Sequence, residues 1–139
     1  MDLTGLLYFT AAAWGLMALH PWGPARIRER LEASASDRGE FPDVTVLIPA
    51  RNEARLLPSV LSGVQGQGRG FEIILVDDQS ADATAEVAQS SGLENLRVIE
   101  GEAPPPGWSG KLWALSQGLK EVRTPLTLLI DADIELEPG

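Results

Sequence analysis

A regular alternation of short apolar runs and longer amphipathic stretches across residues 44–130 constrains the fold more than any other feature. The apolar runs are rich in β-branched residues, which is typical of strands buried in a sheet. They predict strands at 44–48, 71–76, 96–99 and 126–130, the last of them buried on both faces. Strands that alternate with helices in this way predict an α/β fold with a parallel sheet and right-handed crossovers.

Three helices are predicted between these strands. Pro49 is predicted to end the first strand, and the first helix to begin at Arg51 or Asn52. The second helix would be capped by Ser80 or Asp82. The predicted apolar stripes are Leu56, Leu57, Val60, Leu61 and Val64 in the first helix and Leu112, Leu115, Leu119 and Val122 in the third.

An uncharged apolar stretch at residues 3–19 predicts a transmembrane helix. At 1.5 Å per residue it would be roughly 25 Å long, close to the ~30 Å hydrocarbon core of a bilayer. Trp22 fits the membrane boundary, and Arg26, Arg28 and Arg30 follow it. This asymmetry predicts an anchor in the inner membrane with the rest of the chain facing the cytoplasm. A cleaved signal peptide and a helix that lies in the interface or packs on partner helices are the alternatives.

The predicted domain organisation has three parts. Residues 1–24 form the single-pass anchor, residues 25–42 a juxtamembrane linker, and residues 43–139 the α/β domain. The linker is predicted because its second half is small, polar and interrupted by glycine and proline.

Charge and rare residue types exclude several classes of function. The chain has 20 acidic and 11 basic residues, a net charge of −9, and would repel the phosphates of a nucleic acid. It has no cysteine and a single histidine, His20, beside the apolar stretch, so thiolate sites and a histidine-based triad or zinc site in the domain are excluded. No GxxxxGK[ST] or GxGxxG motif follows the first strand, which argues against ATPases and dinucleotide enzymes.

Polar residues follow three of the predicted strands at their carboxyl ends. Open α/β sheets bind ligands at this edge, where the strand order reverses, so these groups are predicted to meet at one site. They are Arg51, Asn52 and Glu53 after the first strand, Asp77 and Asp78 after the second, and Asp131 and Asp133 after the fourth.

Asp131 and Asp133 have the spacing of a metal site. Alternate side chains of an extended chain point the same way, so both carboxylates would converge on one ion. Oxygen ligands suit Mg²⁺ or Mn²⁺, and such a cation suits a diphosphate. The alternative is that the strand ends in a polar turn, where Asp is common.

The other polar groups have functional and purely structural interpretations. Asp77 and Asp78 suit a ribose hydroxyl or a base edge, or else cap the next helix. Glu53 either contacts the ligand or is a residue at the N-terminus of the next helix, where the helix dipole favours a negative charge. Lys111 opens the helix after a proline-rich loop, where a cation and free amides make an anion site; otherwise it is a solvated surface lysine.

Four segments in this order resemble the inverting family 2 glycosyltransferases, which have the GT-A fold. They are VTVLIPARNE at 44–53, LVDDQSADAT at 75–84, GKLWALSQGL at 110–119 and IDAD at 130–133. The N-terminal stretch, with PARNE and GWSGKLWAL, is similar to the hopanoid-associated (HpnB-type) membrane glycosyltransferases, and ceramide glucosyltransferase-like enzymes are the neighbouring possibility.

The resemblance implies a metal-dependent enzyme that transfers a sugar from a nucleotide sugar, a UDP-sugar by family preference, to a lipid or polysaccharide acceptor. The α/β domain would be the Rossmann-like nucleotide-sugar-binding half of a GT-A fold. The implied donor-binding residues are Pro49, Ala50, Glu53, Asp77, Asp78, Lys111 and Asp131, and the implied ligands of Mn²⁺ or Mg²⁺ are Asp131 and Asp133.

In this family the catalytic base and a QxxRW-type acceptor motif lie beyond the DxD motif. The base is therefore expected beyond Gly139, and the 139-residue chain is expected to be a donor-binding part that is inactive alone. The alternatives are a non-catalytic nucleotide- or metal-binding module and a nucleotidyltransferase, which would carry a glycine-rich basic loop after the first strand.

Overall fold

The computed structural model describes residues 2–19 and 39–137, which belong to two units, Met1–Glu32 and Ala33–Gly139. The described part of the first unit is helix α1, Leu3–Leu19, which covers the stretch predicted to be helical. Across these described residues, no helix is both long enough and apolar enough to cross a membrane.

Helix α1 is apolar around its whole circumference. Within its own unit, the side chains of Leu3, Tyr8, Phe9 and Trp14 are largely exposed. The predicted boundary residue, the basic residues after it and most of the predicted linker lie outside the described residues.

The second unit is organised around a four-stranded parallel sheet and a two-stranded parallel ribbon. In chain order its elements are β1 Gly39–Glu40, β2 Val44–Ala50, α2 Leu57–Gln65, β3 Gly68–Arg69, β4 Glu72–Asp77, α3 Thr84–Gln89, β5 Leu96–Glu100, α4 Gly110–Leu119 and β6 Leu126–Leu129. The predicted alternation of strands and helices in an α/β fold with a parallel sheet is confirmed.

The order of strands across the large sheet is β5-β4-β2-β6. The chain moves from β2 outward through β4 to β5, then returns to the other side of β2 as β6. This reversal puts α4 on the face opposite to α2 and α3, because right-handed crossovers in opposite directions use opposite faces. The result is a three-layer domain with its switch point between β2 and β6.

Two apolar clusters cover the two faces of the central strands β2 and β4. Val46 and Ile48 of β2 pack with Leu57 and Leu61 of α2 on one face. Leu47, which points the other way, packs in the cluster beneath α4. Because both faces of β2 and β4 are covered, these strands are apolar at almost every position.

The prediction that the fourth strand is buried on both faces is wrong. All four residues of β6 are exposed, and Leu126 keeps 60% of its surface accessible. β6 lies at the edge of the described sheet, with β2 as its neighbour. A continuous apolar run therefore marks, in this case, an edge strand, and Ile130 just after it is buried.

The third helix forms where predicted, but its buried face differs from the predicted stripe. Leu115 and Val122 of the predicted stripe are half-buried and pack against the core, but Leu112 and Leu119 are exposed. Ala114 and Gly118 are buried against the sheet instead. A Cβ at Gly118 would lie 2.8 Å from Val76 and even closer to Leu47. Small residues thus let α4 approach β2 and β4 closely, which a search for large apolar residues overlooks.

Candidate functional site

A cleft of about 360 Å³ opens at the carboxyl edge of the sheet, at the switch point. It is lined by Pro49, Ala50, Arg51, Glu53, Asp78, Gly110, Lys111, Asp131, Ala132 and Asp133. Seven of the eight donor- and metal-binding residues that the resemblance implied line this cleft, and Asp77 does not. Arg51 and Asn52 were also predicted at this edge, and of these two only Arg51 lines the cleft. The lining comes from the end of β2, from the segments that follow β2, β4 and β6 and from the first residues of α4, which meet at this edge of the sheet.

β2 carries Pro49 and Ala50 into the cleft, although Pro49 was predicted to end the strand. Leu47 O accepts a hydrogen bond from Ile130 N at 3.1 Å, so the backbone N–H and C=O groups of odd-numbered residues in β2 point toward β6. The backbone of Pro49 is on this same side, but the last pair between the two strands is Leu47 with Leu129. Pro49 therefore has no partner that needs an N–H donor. A proline therefore fits inside this strand at the one edge where the ladder has ended.

The first helix begins at Leu57, so its predicted start at Arg51 or Asn52 is wrong. Asn52 has a left-handed backbone, with φ of 58°, and its N–H and carboxamide are used by the loop after β4. Ser80 Oγ accepts from Asn52 N at 2.9 Å, and Asn52 Oδ1 accepts from Ala81 N at 2.7 Å. These bonds hold the chain away from a helix and fix the direction in which Arg51 and Glu53 leave β2.

Asp82 and Thr84 complete this loop-to-loop network. Thr84 Oγ1 accepts from Glu53 N at 2.9 Å, and Asp82 Oδ2 accepts from Ala54 N at 3.2 Å. Asp82 also accepts from the N–H and the hydroxyl of Thr84, and the hydroxyl bond is the main cause that lowers the pKa of Asp82. The N-cap residue of α3 is Ala83, so the prediction that Ser80 or Asp82 caps this helix is wrong. Asp82 instead braces the loop beside the cleft.

The neighbouring Asp77 and Asp78 have different environments. Asp77 Oδ1 accepts from Ser80 N at 3.1 Å and from the Ser80 hydroxyl, so this carboxylate closes a turn. The Asp78 side chain lines the cleft and is only 6% exposed, with Arg51 Nη1 3.6 Å from Oδ2. Its Oδ1 has no hydrogen-bond partner among the described residues. Asp78 is therefore the buried acceptor of the cleft.

The amino end of α4 approaches Asp78 closely. A Cβ at Gly110 would lie 3.5 Å from Asp78 Cγ and closer still to Oδ2, so a larger residue there would require the carboxylate to move. Ser109 caps the helix and accepts from Leu112 N at 3.4 Å. The following Lys111 reaches across the cleft, with Nζ 2.7 Å from Asp131 Oδ1.

Asp131 and Asp133 follow β6 in a turn rather than in the extended chain assumed for them. Ile134 N donates to Asp131 O at 3.2 Å and closes this turn. Both aspartates nevertheless line the cleft. Within residues 2–19 and 39–137, no group of three or more acidic or histidine side chains is arranged to hold a metal ion.

The donor set at Asp131 and Asp133 still fits one divalent cation. Two carboxylates supply oxygen ligands, and Mg²⁺ or Mn²⁺ commonly completes its shell with water and the phosphate oxygens of a substrate. The cleft also contains the carboxylates of Glu53 and Asp78 against two cationic side chains, Arg51 and Lys111. An added cation would offset this excess of negative charge.

The family model described as Glycosyl transferase family 2 matches residues 45–139. The chain belongs to glycosyltransferase family 2. The match includes every residue of the cleft, so the assignment applies to the part of the chain that carries the candidate site.

Curated members of this family align with about two thirds of the chain. The 4,4'-diaponeurosporenoate glycosyltransferase of Staphylococcus haemolyticus is 36% identical over 93 residues, which are 67% of this chain and 24% of that protein. An uncharacterized glycosyltransferase of Mycobacterium tuberculosis is 35% identical over 69% of this chain and 39% of its own length. The chain thus aligns with about a quarter to two fifths of these relatives.

Solved structures have the same fold. The mannosyltransferase PcManGT from Pyrobaculum calidifontis, solved in complex with GDP-Man and Mn²⁺, superposes with a TM-score of 0.66 and 26% identity, over 96% of this chain and 39% of its own. Residues 1–349 of S. aureus TarS superpose with a TM-score of 0.53 and 26% identity, over 66% of this chain and 27% of that one. The predicted family and the GT-A-like Rossmann fold are confirmed by these likenesses.

Proposed function

We propose that this family 2 chain is the donor-binding part of a membrane-anchored inverting glycosyltransferase that transfers a sugar from a nucleotide sugar to a lipid or polysaccharide acceptor. The observation that carries the proposal is the cleft at the switch point, which brings Asp78, Lys111, Asp131 and Asp133 together. Its position and charges suit a nucleotide diphosphate held through a cation.

Asp78 supports a pyrimidine or purine base that carries a ring N–H. Its buried Oδ1 is an acceptor with no partner among the described residues, so a donor on the ligand would complete it. The ring of uracil offers one N–H, guanine offers a ring N–H and an amino group, and adenine and cytosine offer only an amino group. From the family preference for UDP, we propose UDP-sugar as the donor, with GDP-sugar as the next candidate.

Lys111 and the aspartates after β6 would hold the diphosphate. Lys111 lies in the first turn of α4, where a cation and the free amides favour an anion. Asp131 and Asp133 would hold Mn²⁺ or Mg²⁺, which would stabilise the negative charge that develops on the leaving diphosphate. The roles of Pro49, Ala50 and Glu53 would be to border the nucleotide, and Asp77 would act through the turn that it closes.

The reaction would be attack by an acceptor hydroxyl on the anomeric carbon of the sugar, with departure of the nucleoside diphosphate. We assign no cleft residue as the base that takes the acceptor proton. The 139-residue chain is therefore proposed to bind the donor without turning it over, and hopanoid-type lipids remain candidate acceptors.

Membrane attachment is the second part of the proposal. A helix that is apolar on all sides needs an apolar environment, and α1 leaves large side chains such as Phe9 and Trp14 exposed in its own unit. We propose that a bilayer provides this environment at the inner membrane, with the cleft on the cytoplasmic side.

Calorimetric titration of the full chain with UDP and a UDP-sugar, with and without Mn²⁺, tests the donor site. We expect binding that depends on Mn²⁺, and we expect Asp131→Asn/Asp133→Asn to weaken it by at least about tenfold, since ligand loss removes the cation's anchor. Asp43→Asn/Glu94→Gln removes two exposed carboxylates outside the cleft lining and is the matched control.

The same titration with GDP, ADP and CDP tests the base. Stronger binding of UDP and GDP than of ADP and CDP is expected if Asp78 Oδ1 accepts from a ring N–H. No binding of any nucleotide by a folded wild-type chain would overturn the proposal. If a protein extended to the full length of the relatives binds the donor without transferring the sugar, a non-catalytic nucleotide-binding module is favoured instead.

A further inference from the structure

The ion pair between Lys111 and Asp131 joins two groups that the proposed function assigns to different ligands. Lys111 Nζ lies 2.7 Å from Asp131 Oδ1, directly across the cleft. Under the proposed function, on which this inference rests, Lys111 serves the diphosphate and Asp131 serves the cation. Both roles require the ion pair between Lys111 and Asp131 to break.

The pair is exchangeable because both side chains are in contact with solvent. Lys111 is 57% exposed and Asp131 is 49% exposed. Ion pairs of this kind are screened and contribute little free energy, so stronger partners displace them. By contrast, the carboxylate of Asp78 is only 6% exposed, and Arg51 Nη1 lies 3.6 Å from its Oδ2.

The position of Lys111 on α4 also favours a change of partner. It lies in the first turn of a ten-residue helix, where the helix dipole disfavours a cation and attracts an anion. The first turn has no acidic residue of its own, and Asp131 supplies the anion across the cleft. A diphosphate carries more negative charge than one carboxylate and would take that place.

We propose that Lys111 is the counter-ion of Asp131 in the ligand-free cleft and moves to the diphosphate when a divalent cation is bound at Asp131. Lys111 is thereby a positioning residue that couples the two ligands. A cation alone must compete with the ammonium group for Asp131. A nucleotide alone brings its phosphates toward carboxylates that outnumber the cationic side chains of the cleft. Together the two ligands remove both obstacles, so each raises the affinity for the other.

Calorimetry of the full chain with Mn²⁺ alone, with UDP alone and with UDP at saturating Mn²⁺ measures this coupling. Lys111→Met keeps the length of the side chain and removes its charge. It should raise the affinity for Mn²⁺ alone by about two- to fivefold, the range expected for loss of a competing solvent-exposed ion pair. It should also weaken UDP binding at saturating Mn²⁺, so that the coupling factor falls.

Two further variants separate this role from a general effect of charge or folding. Lys111→Arg keeps the cation and should restore most of the coupling. Lys120→Met removes the charge at the other end of the same helix, where Lys120 Nζ lies 5.3 Å from the Trp113 ring centroid, and should leave the coupling unchanged. Because Lys111 is mostly exposed, its replacement should leave the thermal midpoint, read by circular dichroism, close to that of the wild type.

The outcomes distinguish this inference from the proposed function. If the wild-type chain binds neither Mn²⁺ nor UDP, both are overturned. If it binds UDP in a Mn²⁺-dependent way and Lys111→Met leaves the affinity for Mn²⁺ alone unchanged or lower, only the counter-ion role is overturned. Tighter Mn²⁺ binding with reduced coupling, restored by Lys111→Arg, supports it.

Discussion

Adjacent side chains of the same type have different tasks at the end of β4. Asp77 accepts hydrogen bonds from Ser80 and closes a turn, whereas Asp78 lines the cleft and has a buried Oδ1 with no partner among the described residues. Successive residues of an extended chain point to opposite sides, so only one of the two carboxylates could face the cleft. Both Asp77 and Asp78 were candidates for ligand binding from the sequence. Which of them lines the cleft depends on the side of β4 on which the loop from β2 lies.

The carboxyl group of Asp82 makes a pH-dependent contribution to the free energy of unfolding. Its pKa is lowered from the ordinary value of 3.8, chiefly by the bond from the Thr84 hydroxyl. A lowered pKa in the folded state means that the unfolded chain takes up the proton first. The contribution of Asp82 is therefore present above its ordinary pKa and is lost as the pH falls through and below that value.

Asp82→Asn should accordingly flatten the acid side of the stability profile. Between about pH 5 and about pH 3, the thermal midpoint of the variant should fall less than that of the wild type. Thermal unfolding followed by circular dichroism measures this difference. Glu94→Gln, which removes an exposed carboxyl before β5, is the control, and an Asp82→Asn profile parallel to the wild type would contradict the assignment.

Residue types and their order were sufficient to predict most of the candidate site, because strand ends in a parallel sheet meet at one edge. The bracing network of Asn52, Ser80, Asp82 and Thr84 was not predictable in the same way. It depends on left-handed backbones at Asn52 and Gln79, with φ of 58° and 56°. Periodicity does not report a single residue's φ, although Asn is among the residues that adopt such a conformation most readily.

Different residues determine the position and the orientation of helix α4. Its position along the chain follows from Ser109 and the apolar spacing, but its orientation follows from Ala114 and Gly118, which allow close approach to β2 and β4. Since α4 delivers Lys111 to the cleft, its distance from the sheet also sets the position of that ammonium group. A pattern of large apolar residues predicts that a helix exists and does not identify a face that packs through small ones.

Gly118→Ala is a direct test of this packing. Alanine is a better helix former than glycine by about 1 kcal/mol, which alone would stabilise α4. Its Cβ, however, would meet Leu47 and Val76, and overpacking of this kind costs about 1–3 kcal/mol. We expect a net loss in the free energy of unfolding of about 1 kcal/mol in urea titrations.

Leu112→Ala on the same helix serves as the comparison. Leu112 is 59% exposed, so its truncation should change the free energy of unfolding by no more than about 0.5 kcal/mol. A larger loss for Leu112→Ala than for Gly118→Ala would mean that the sequence-predicted stripe, and not the small-residue face, lies on the sheet.

At the scale of the whole domain, the strand order is what the sequence did not specify. Alternating strands and helices predict a parallel sheet, yet they do not say whether the last strand joins β5 or returns to β2. The reversal that creates the cleft depends on which face α4 covers. The family resemblance implied a nucleotide-sugar-binding half, and the order β5-β4-β2-β6 is known from the structure.

The position of β6 at the edge predicts self-association of the described domain. Leu126, Leu128 and Leu129 are each about half exposed or more, and an apolar edge strand is a template for pairing with another chain. Leu129→Lys should reduce association, measured by sedimentation at increasing concentration in one detergent. Leu112→Lys adds the same charge to an exposed helix position and should have a smaller effect; equal effects of the two would argue against pairing through β6.

The return of the chain from β5 to β2 also determines when the cleft first exists during translation. The ribosome releases β2, β4 and β5 before β6, so a nascent chain can assemble three strands and the core on one face while Asp131 and Asp133 are still in the exit tunnel. A ligand of the cleft therefore cannot assist the early folding of this domain. A nascent chain stalled before Leu126 would contain most of the hydrophobic core and an incomplete cleft.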